Sequence, residues 1–353
     1  MPVPRCGADP LPYPHPVTES AHPALSGLTV LERGWLSSNN VLLHGEPGEG
    51  ATLVDSGHCA HAEQTLALVR HALGAAPPGT AALRLRETQG TADHAGAARC
   101  LPEPLARLVN THLHSDHCGG NAALQRAMGM PIVIPPGHWQ AALRWDEDSL
   151  SYRPTRQRCE RFTPDAQIAL GEVLRCGGRE WQVLAAPGHD PEAVMLFDAA
   201  QGVLISADAL WETGFGVVFP ELEGVPAFDD VAKVFDLIEG LPVRWVLPGH
   251  GAPFQDVRSA LDRGRSRLAG FRADPARHHR HAAKVLLKFH LLEEQSQPLP
   301  ALCAWFAEAP LMEAIWHRVA RPSGSLEGWC EALVSELAAA GALDLRSGIV
   351  HNR

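Results

Sequence analysis

Ten residues constrain this 353-residue chain more than any others: Thr111-His112-Leu113-His114-Ser115-Asp116-His117-Cys118-Gly119-Gly120. Three imidazoles and a carboxylate fall within six positions, directly after the apolar run Leu108-Val109-Asn110 and ahead of two glycines. A loop at the end of a strand can aim several ligands at one place, which a solvated histidine cluster or a tag has no reason to do.

Two more histidines sit in near-identical settings, Ala186-Pro187-Gly188-His189 and Leu247-Pro248-Gly249-His250, each straight after an apolar run. A Pro-Gly turn frees the backbone to present the imidazole at a strand end. The run Gly202 to Ser206 ends in Ala207-Asp208, and Ala51 to Val54 ends in Asp55. Alone, each of these reads as an ordinary cap or turn residue. Together they supply five His and three Asp.

The surrounding text is that of a layered α/β protein. Leu28–Leu31, Asn40–Leu43 and Ala51–Val54 read as sequential antiparallel strands. Ala60 to Leu73, Asn121 to Met128 and His138 to Trp145 read as helices, and Gln182–Ala185, Ala193–Phe197, Gly202–Ser206 and Trp245–Leu247 as further strands. Residues 1–25 are a proline-rich extended arm, and 74–104 is a Gly/Ala/Pro/Thr stretch that reads as an insertion. From 256 to 353 the chain is mainly helical and ends in two strand-like runs around Arg346 to Gly348, the outline of a winged-helix-like unit.

Asp55, the HxHxDH string at 112–117, His189, Asp208 and His250, in that order, resemble the five signature motifs of the metallo-β-lactamase superfamily. The resemblance covers about residues 26–255. It implies an αββα sandwich as the catalytic domain, and a dinuclear site in which His112, His114 and His189 hold one metal while Asp116, His117 and His250 hold the other. Asp208 would bridge them, and Asp55 would orient a ligand. Asp stands where true class B β-lactamases carry Cys, so the pattern is similar to the glyoxalase-type, ribonuclease and lactonase branches. One departure is His189-Asp190-Pro191-Glu192, where many hydrolytic members have Thr or Ser after the histidine; the two acids could repel an anionic substrate or orient a ligand, but are expected to face solvent.

Neutral imidazoles and hard carboxylates suit Zn²⁺, and also Fe or Mn. Two such ions lower the pKa of a shared water towards neutrality and polarise a carbonyl or phosphoryl oxygen, so a metal-bound hydroxide is the expected nucleophile. Asp116 is then a candidate to pass a proton to the leaving group. Trp211, Phe215 and Phe219, close behind Asp208, read equally as substrate lining or as core.

The leading reading is therefore a metal-dependent hydrolase of a thioester, ester or lactone, with a small molecule as its partner. A ribonuclease-like phosphodiesterase ranks second, because the winged-helix-like tail resembles that of a metallo-β-lactamase subfamily with RNA-cleaving members, and nine Lys/Arg against two Asp lie between Arg258 and Lys288. A non-catalytic metal-binding or signalling protein ranks third. The net charge of −10 argues against a general nucleic-acid or anionic-membrane binder, since 17 Lys/Arg face 29 Asp/Glu before residue 256. No run approaches the length of a membrane span. Eight cysteines without a CxxC pair suit a reducing, cytoplasmic compartment. A homodimer is compatible with this reading.

Overall fold

The computed structural model describes residues 17–18, 22–46, 48–74, 103–319 and 324–353. Most of the expected N-terminal arm and of the expected 74–104 insertion lies outside the described residues.

The first half builds a seven-stranded sheet in sequence order. Its strands are β1 Val17–Thr18, β2 Leu28–Leu31, β3 Asn40–Leu43, β4 Ala51–Val54, β5 Leu105–Val109, β6 Ile132–Ile134 and β7 Ala166–Gln167. The first four pair antiparallel and the remainder parallel, the switch falling between β4 and β5. Helix α1 (Ala62–Ala72) is the crossover into β5, and a one-turn helix α2 (Ser115–Cys118) is followed by α3 (Asn121–Met128). Two short helices, α4 (Trp139–Arg144) and α5 (Tyr152–Thr155), precede β7.

The second half builds a five-stranded sheet from β8 (Val173–Cys176), β9 (Arg179–Ala185), β10 (Val194–Asp198), β11 (Val203–Ala207) and β12 (Trp245–Pro248), in the order β12-β11-β10-β9-β8. Helices α6 (Phe219–Glu223) and α7 (Phe228–Gly240) connect β11 to β12, and those two strands run parallel.

Alternation along the strands sets the layers. In β11 every residue is buried, yet Val203 and Ile205 pack inward with Val30, Val41 and Trp181 of both sheets, whereas Leu204 turns outward onto Val231, Val234 and Phe235 of α7. Leu42, Leu53 and Leu108 likewise face out, onto Leu66 and Val69 of α1 and Leu124 of α3. Two sheets thus share an inner core and each carries helices on its outer face. This is the αββα sandwich, and it explains why the strands read as continuous apolar runs.

Beyond β12 come α8 (Val257–Ala273), α9 (Pro275–Glu294), β13 (Ser296–Pro298), α10 (Leu299–Ala307), α11 (Pro310–Arg318), α12 (Leu326–Ala339), β14 (Leu343–Arg346) and β15 (Ile349–Asn352). The last two form an antiparallel hairpin, to which β13 adds a third strand. Leu286, Leu287 and Leu291 of α9 are buried with Phe306, Ile315 and Leu333 in a separate core, which also takes Val217 and Leu222 from the body. The tail is therefore packed onto the segment that follows Asp208. Among the described residues, no helix is long and apolar enough to cross a membrane.

Candidate metal centre

Every candidate ligand leaves the C-terminal end of a strand, the end where layered α/β folds place their sites. Asp55 follows β4, the 112–117 loop follows β5, His189 follows β9, Asp208 follows β11 and His250 follows β12. The backbone is bent sharply at two of these exits: Asp55 has φ 58° and Ala207 φ 46°, a left-handed conformation that non-glycine residues adopt at some cost. The Pro-Gly turns do more than free the backbone. A Cβ on Gly249 would stand 2.3 Å from Asp208 Oδ1, and one on Gly188 would stand 2.6 Å from Val231 Cγ2. Glycine is required because a side chain would occupy the site or the packing beneath it.

The structure brings seven residues into two adjacent groups. Donor atoms of His112, His114 and His189 lie within 4.8 Å of one another, and so do those of Asp116, His117, Asp208 and His250. Asp208 stands between the groups: Oδ1 is 3.3 Å from His117 Nε2, and Oδ2 is 3.3 Å from His189 Nε2. Asp116 Oδ2 lies 3.1 Å from His250 Nε2.

Hydrogen bonds behind the rings fix which nitrogen faces inward. His117 Nδ1 donates to Asp55 Oδ2 at 2.8 Å, and His189 Nδ1 donates to the Val217 carbonyl at 2.6 Å. Thr111 gives its hydroxyl proton to Asp55, so its oxygen can accept from His112 Nδ1 at 3.1 Å. In all three rings Nδ1 then carries a proton and Nε2 is the nitrogen turned inward. The Nε2 atoms of His112 and His117 are buried without any hydrogen-bond partner. His114 is turned the other way, with Nδ1 2.7 Å from His189 Nε2, a contact that needs a shared proton or a cation.

Electrostatics favour cations in the same place. Asp55, Asp116 and Asp208 are buried, and among the described residues their cationic neighbours within ion-pair distance are imidazoles. Burial alone would raise the Asp116 carboxyl, but His117 and His250 more than reverse it and bring it to about 2. Burial is likewise overridden at Asp208 by His117, His250 and His189, which hold it well below its ordinary value. Desolvation drives His112 far below the usual imidazole range and His114 to about 4, so both rings stay neutral, as metal ligands must. At His117 burial acts downward, and the carboxylates of Asp208, Asp55 and Asp116 outweigh it. Lone pairs without partners and carboxylates without fixed cations fit a pair of divalent ions.

Several residues near the centre were not assigned a role in the sequence or were assigned a different one. Asp190, expected to face solvent, is buried: its Oδ2 is 3.8 Å from His114 Nε2 and 3.9 Å from His138 Nε2, while Oδ1 accepts from the Glu192 amide. The acid after His189 thus braces His114 from behind. Trp35 is a further addition, its ring stacked on His250 at 5.4 Å, and Trp211 donates to Asp208 Oδ1 at 3.2 Å. Cys118, which stands beside the ligand loop without being one of its ligands, turns its thiol to the Leu113 and His114 carbonyls and to Tyr152 Oη.

A cavity of about 520 Å³ opens over the centre. Trp35, Trp211 and Phe219 form its walls on the body side, and Val285, Phe289 and Leu292 of α9 form them on the tail side. Trp211 is therefore lining, whereas Phe215 and Phe219 both line the cavity and pack against a core. The basic run of α8 and α9 is largely tied down within the chain. Arg265 binds Asp236 and Glu239, Arg272 binds Asp229, Arg280 and Lys284 share Glu336, and His278 and His279 are buried.

The fold and the paired His/Asp groups define a sandwich built around two adjacent groups of side chains that could each hold a metal ion. Comparison with known proteins agrees: the family described as the metallo-beta-lactamase superfamily matches residues 33–250, and the chain belongs to it. Among similar proteins, the hydroxyacylglutathione hydrolase of Chelativorans sp. (strain BNC1) is 26% identical over 155 residues, 44% of this chain and 51% of that protein. The acyl-coenzyme A thioesterase MBLAC2 of Gallus gallus is 27% identical over 161 residues, 42% of this chain and 57% of that protein. The chain spans about half the length of these curated relatives. A metallo-beta-lactamase family protein of Thermus thermophilus, of known structure, is 20% identical, covers 93% of this chain and 99% of its own, and has a TM-score of 0.49.

Proposed function

We propose that the protein is a metal-dependent hydrolase of a thioester, ester or lactone. The observation that carries this reading is the position of Asp208, one oxygen towards each imidazole group at 3.3 Å. His112, His114 and His189 would hold one ion, Asp116, His117 and His250 the other, and Asp208 both. Zinc suits this donor set, as do iron and manganese. Such ions supply a nucleophile from water at neutral pH and polarise the oxygen of the group under attack.

The chain's own residues do the remaining work. Asp55 and the Val217 carbonyl hold His117 and His189 with Nε2 inward. Asp116 is the ionised carboxylate placed to take up a proton and pass it to the leaving group. The apolar walls given by Trp35, Phe219 and Phe289 fit an acyl chain or lactone ring. The relatives named for thioester hydrolysis support the same substrate class. The described cysteines are free thiols, which supports a reducing compartment. The three-stranded sheet packed on helices supports a winged-helix-like tail.

The test is turnover of a panel of thioesters, lactones and a phosphodiester by zinc-reconstituted protein, with and without a strong chelator. Chelator-sensitive thioester or lactone hydrolysis is expected. Full metal loading with cleavage of the phosphodiester alone, or of nothing, would overturn the reading.

A further inference from the structure

Four cationic side chains line the cavity above the metal centre: Arg267, Lys284, Lys288 and Arg353. Three of them are held within the chain. Lys284 pairs with Glu336 at 2.6 Å, Arg353 approaches Asp344 at 3.4 Å, and Lys288 donates to the Ala342 and Arg353 main-chain oxygens and to Asn352. Arg267 differs. No carboxylate of the described residues lies within ion-pair distance of it; its guanidinium carbon stands 5.4 Å from both the Phe215 and Phe271 ring centroids, and it donates to His281 Nε2.

Accepting at Nε2 leaves His281 neutral, so the imidazole orients the guanidinium without cancelling its charge. Burial and the nearby Arg277 lower the Arg267 pKa, the signature of a cation that lacks its anion. A partly desolvated charge is costly unless paired, and among the described residues only ring faces and a neutral acceptor meet it. The side chain also lines the same cavity as His114, Asp116, His189, Asp208 and His250. A Cβ on Gly214 would stand 2.8 Å from Arg267 Nη1, and Gly214 closes the turn with Trp211, the residue that donates to Asp208.

We infer that Arg267 is a substrate-recognition residue, and that the substrate carries an anionic oxygen group, carboxylate or phosphate, which docks on this guanidinium while the scissile carbonyl lies over the metal centre. A planar fork with free donors matches either group. The hydrolase reading is assumed here, and the experiment separates the two claims.

Zinc-loaded full-length protein is assayed on two matched pairs of thioesters. Glutaryl and valeryl N-acetylcysteamine place the charge on the acyl side or leave it out; valeryl 3-mercaptopropionate and valeryl N-acetylcysteamine do the same on the thiol side. For one pair, Arg267→Met is expected to lower the kcat/KM ratio, charged over neutral, by about 30-fold, the loss of a charge-assisted hydrogen bond. Arg267→Lys, which keeps charge and bulk and stands in should the Met variant fail to fold, is expected to lower it by about fivefold. Ratios unmoved in both variants would overturn the inference. In a second arm, metal-free wild type and variant are titrated with benzoate and phenyl phosphate by ligand-observed NMR. A Kd at least about tenfold weaker in the variant supports Arg267 even if the wild type cleaves no thioester, in which case only the hydrolase reading falls. Equal affinities, or no binding of either probe to the wild type, count against Arg267.

Discussion

At the scale of single residues, the site depends on hydrogen bonds that decide which ring nitrogen is bare. Asp55 accepts from the Thr111 amide and hydroxyl and from His117 Nδ1, three bonds that convert a left-handed strand exit into a fixed anchor for two imidazoles. Asp55→Asn keeps the shape but can present its amide to His117, favouring the wrong tautomer. We expect metal affinity and turnover to fall by about 10–100-fold with the fold intact, measured by competition with a chromogenic chelator. Wild-type affinity would reduce Asp55 to a strand cap. Asp190 makes a comparable case with a weaker contact, 3.8 Å from His114 Nε2. Its place was not legible in the sequence, because it depends on His138, brought from about fifty residues away, and on the amide two positions later.

At the scale of elements, strand ends matter more than strands. Most strands could be read from apolar runs bounded by Gly, Pro, Asp or His, and the ligand-bearing loops stood at their ends. What periodicity could not convey is the room that glycine leaves there. Gly249→Ala would push a methyl to within 2.3 Å of Asp208 Oδ1, and Gly216→Ala would place one 2.4 Å from His189 Nδ1. Both variants are expected to lose metal content more than thermal stability, since the clash falls on ligands rather than on the core. Gly129, a helix C-cap with nothing within 4 Å, is the matching control: alanine there costs about 1 kcal/mol of stability and leaves metal binding unchanged. Metal retention in Gly249→Ala would contradict the packing described here. The two long helices of the tail were only partly legible. Apolar spacing marked Ala283 to Leu292, but the Arg- and His-rich stretch before it hid helical faces that bury His278 and His279.

At the scale of the whole molecule, buried histidines make stability depend on pH. Desolvation lowers His58 and His281 to about 4 and His278 to about 3, from an ordinary 6.5. The folded state therefore binds fewer protons than the unfolded one as pH falls below 6.5, and stability present above that pH is lost down to about pH 3. Metal-free protein should show a falling Tm through this window, read by scanning calorimetry; a flat Tm would show that these rings are solvated. The ion pairs that hold Arg265, Arg272, Arg280 and Lys284 within the chain bear on nucleic acid. We expect no steep salt dependence of RNA binding, against a slope near 0.7 per phosphate contact for a basic face on a single strand. Tight, salt-sensitive binding with metal-dependent cleavage would revive the phosphodiesterase reading. The proposal that Asp208 would serve two metal ions is tested most directly by native mass spectrometry of zinc-reconstituted wild type beside Asp208→Ala. The account predicts two zinc ions in the wild type and at most one, weakly held, in the variant. One ion or none in the wild type, or two retained by Asp208→Ala, would contradict it.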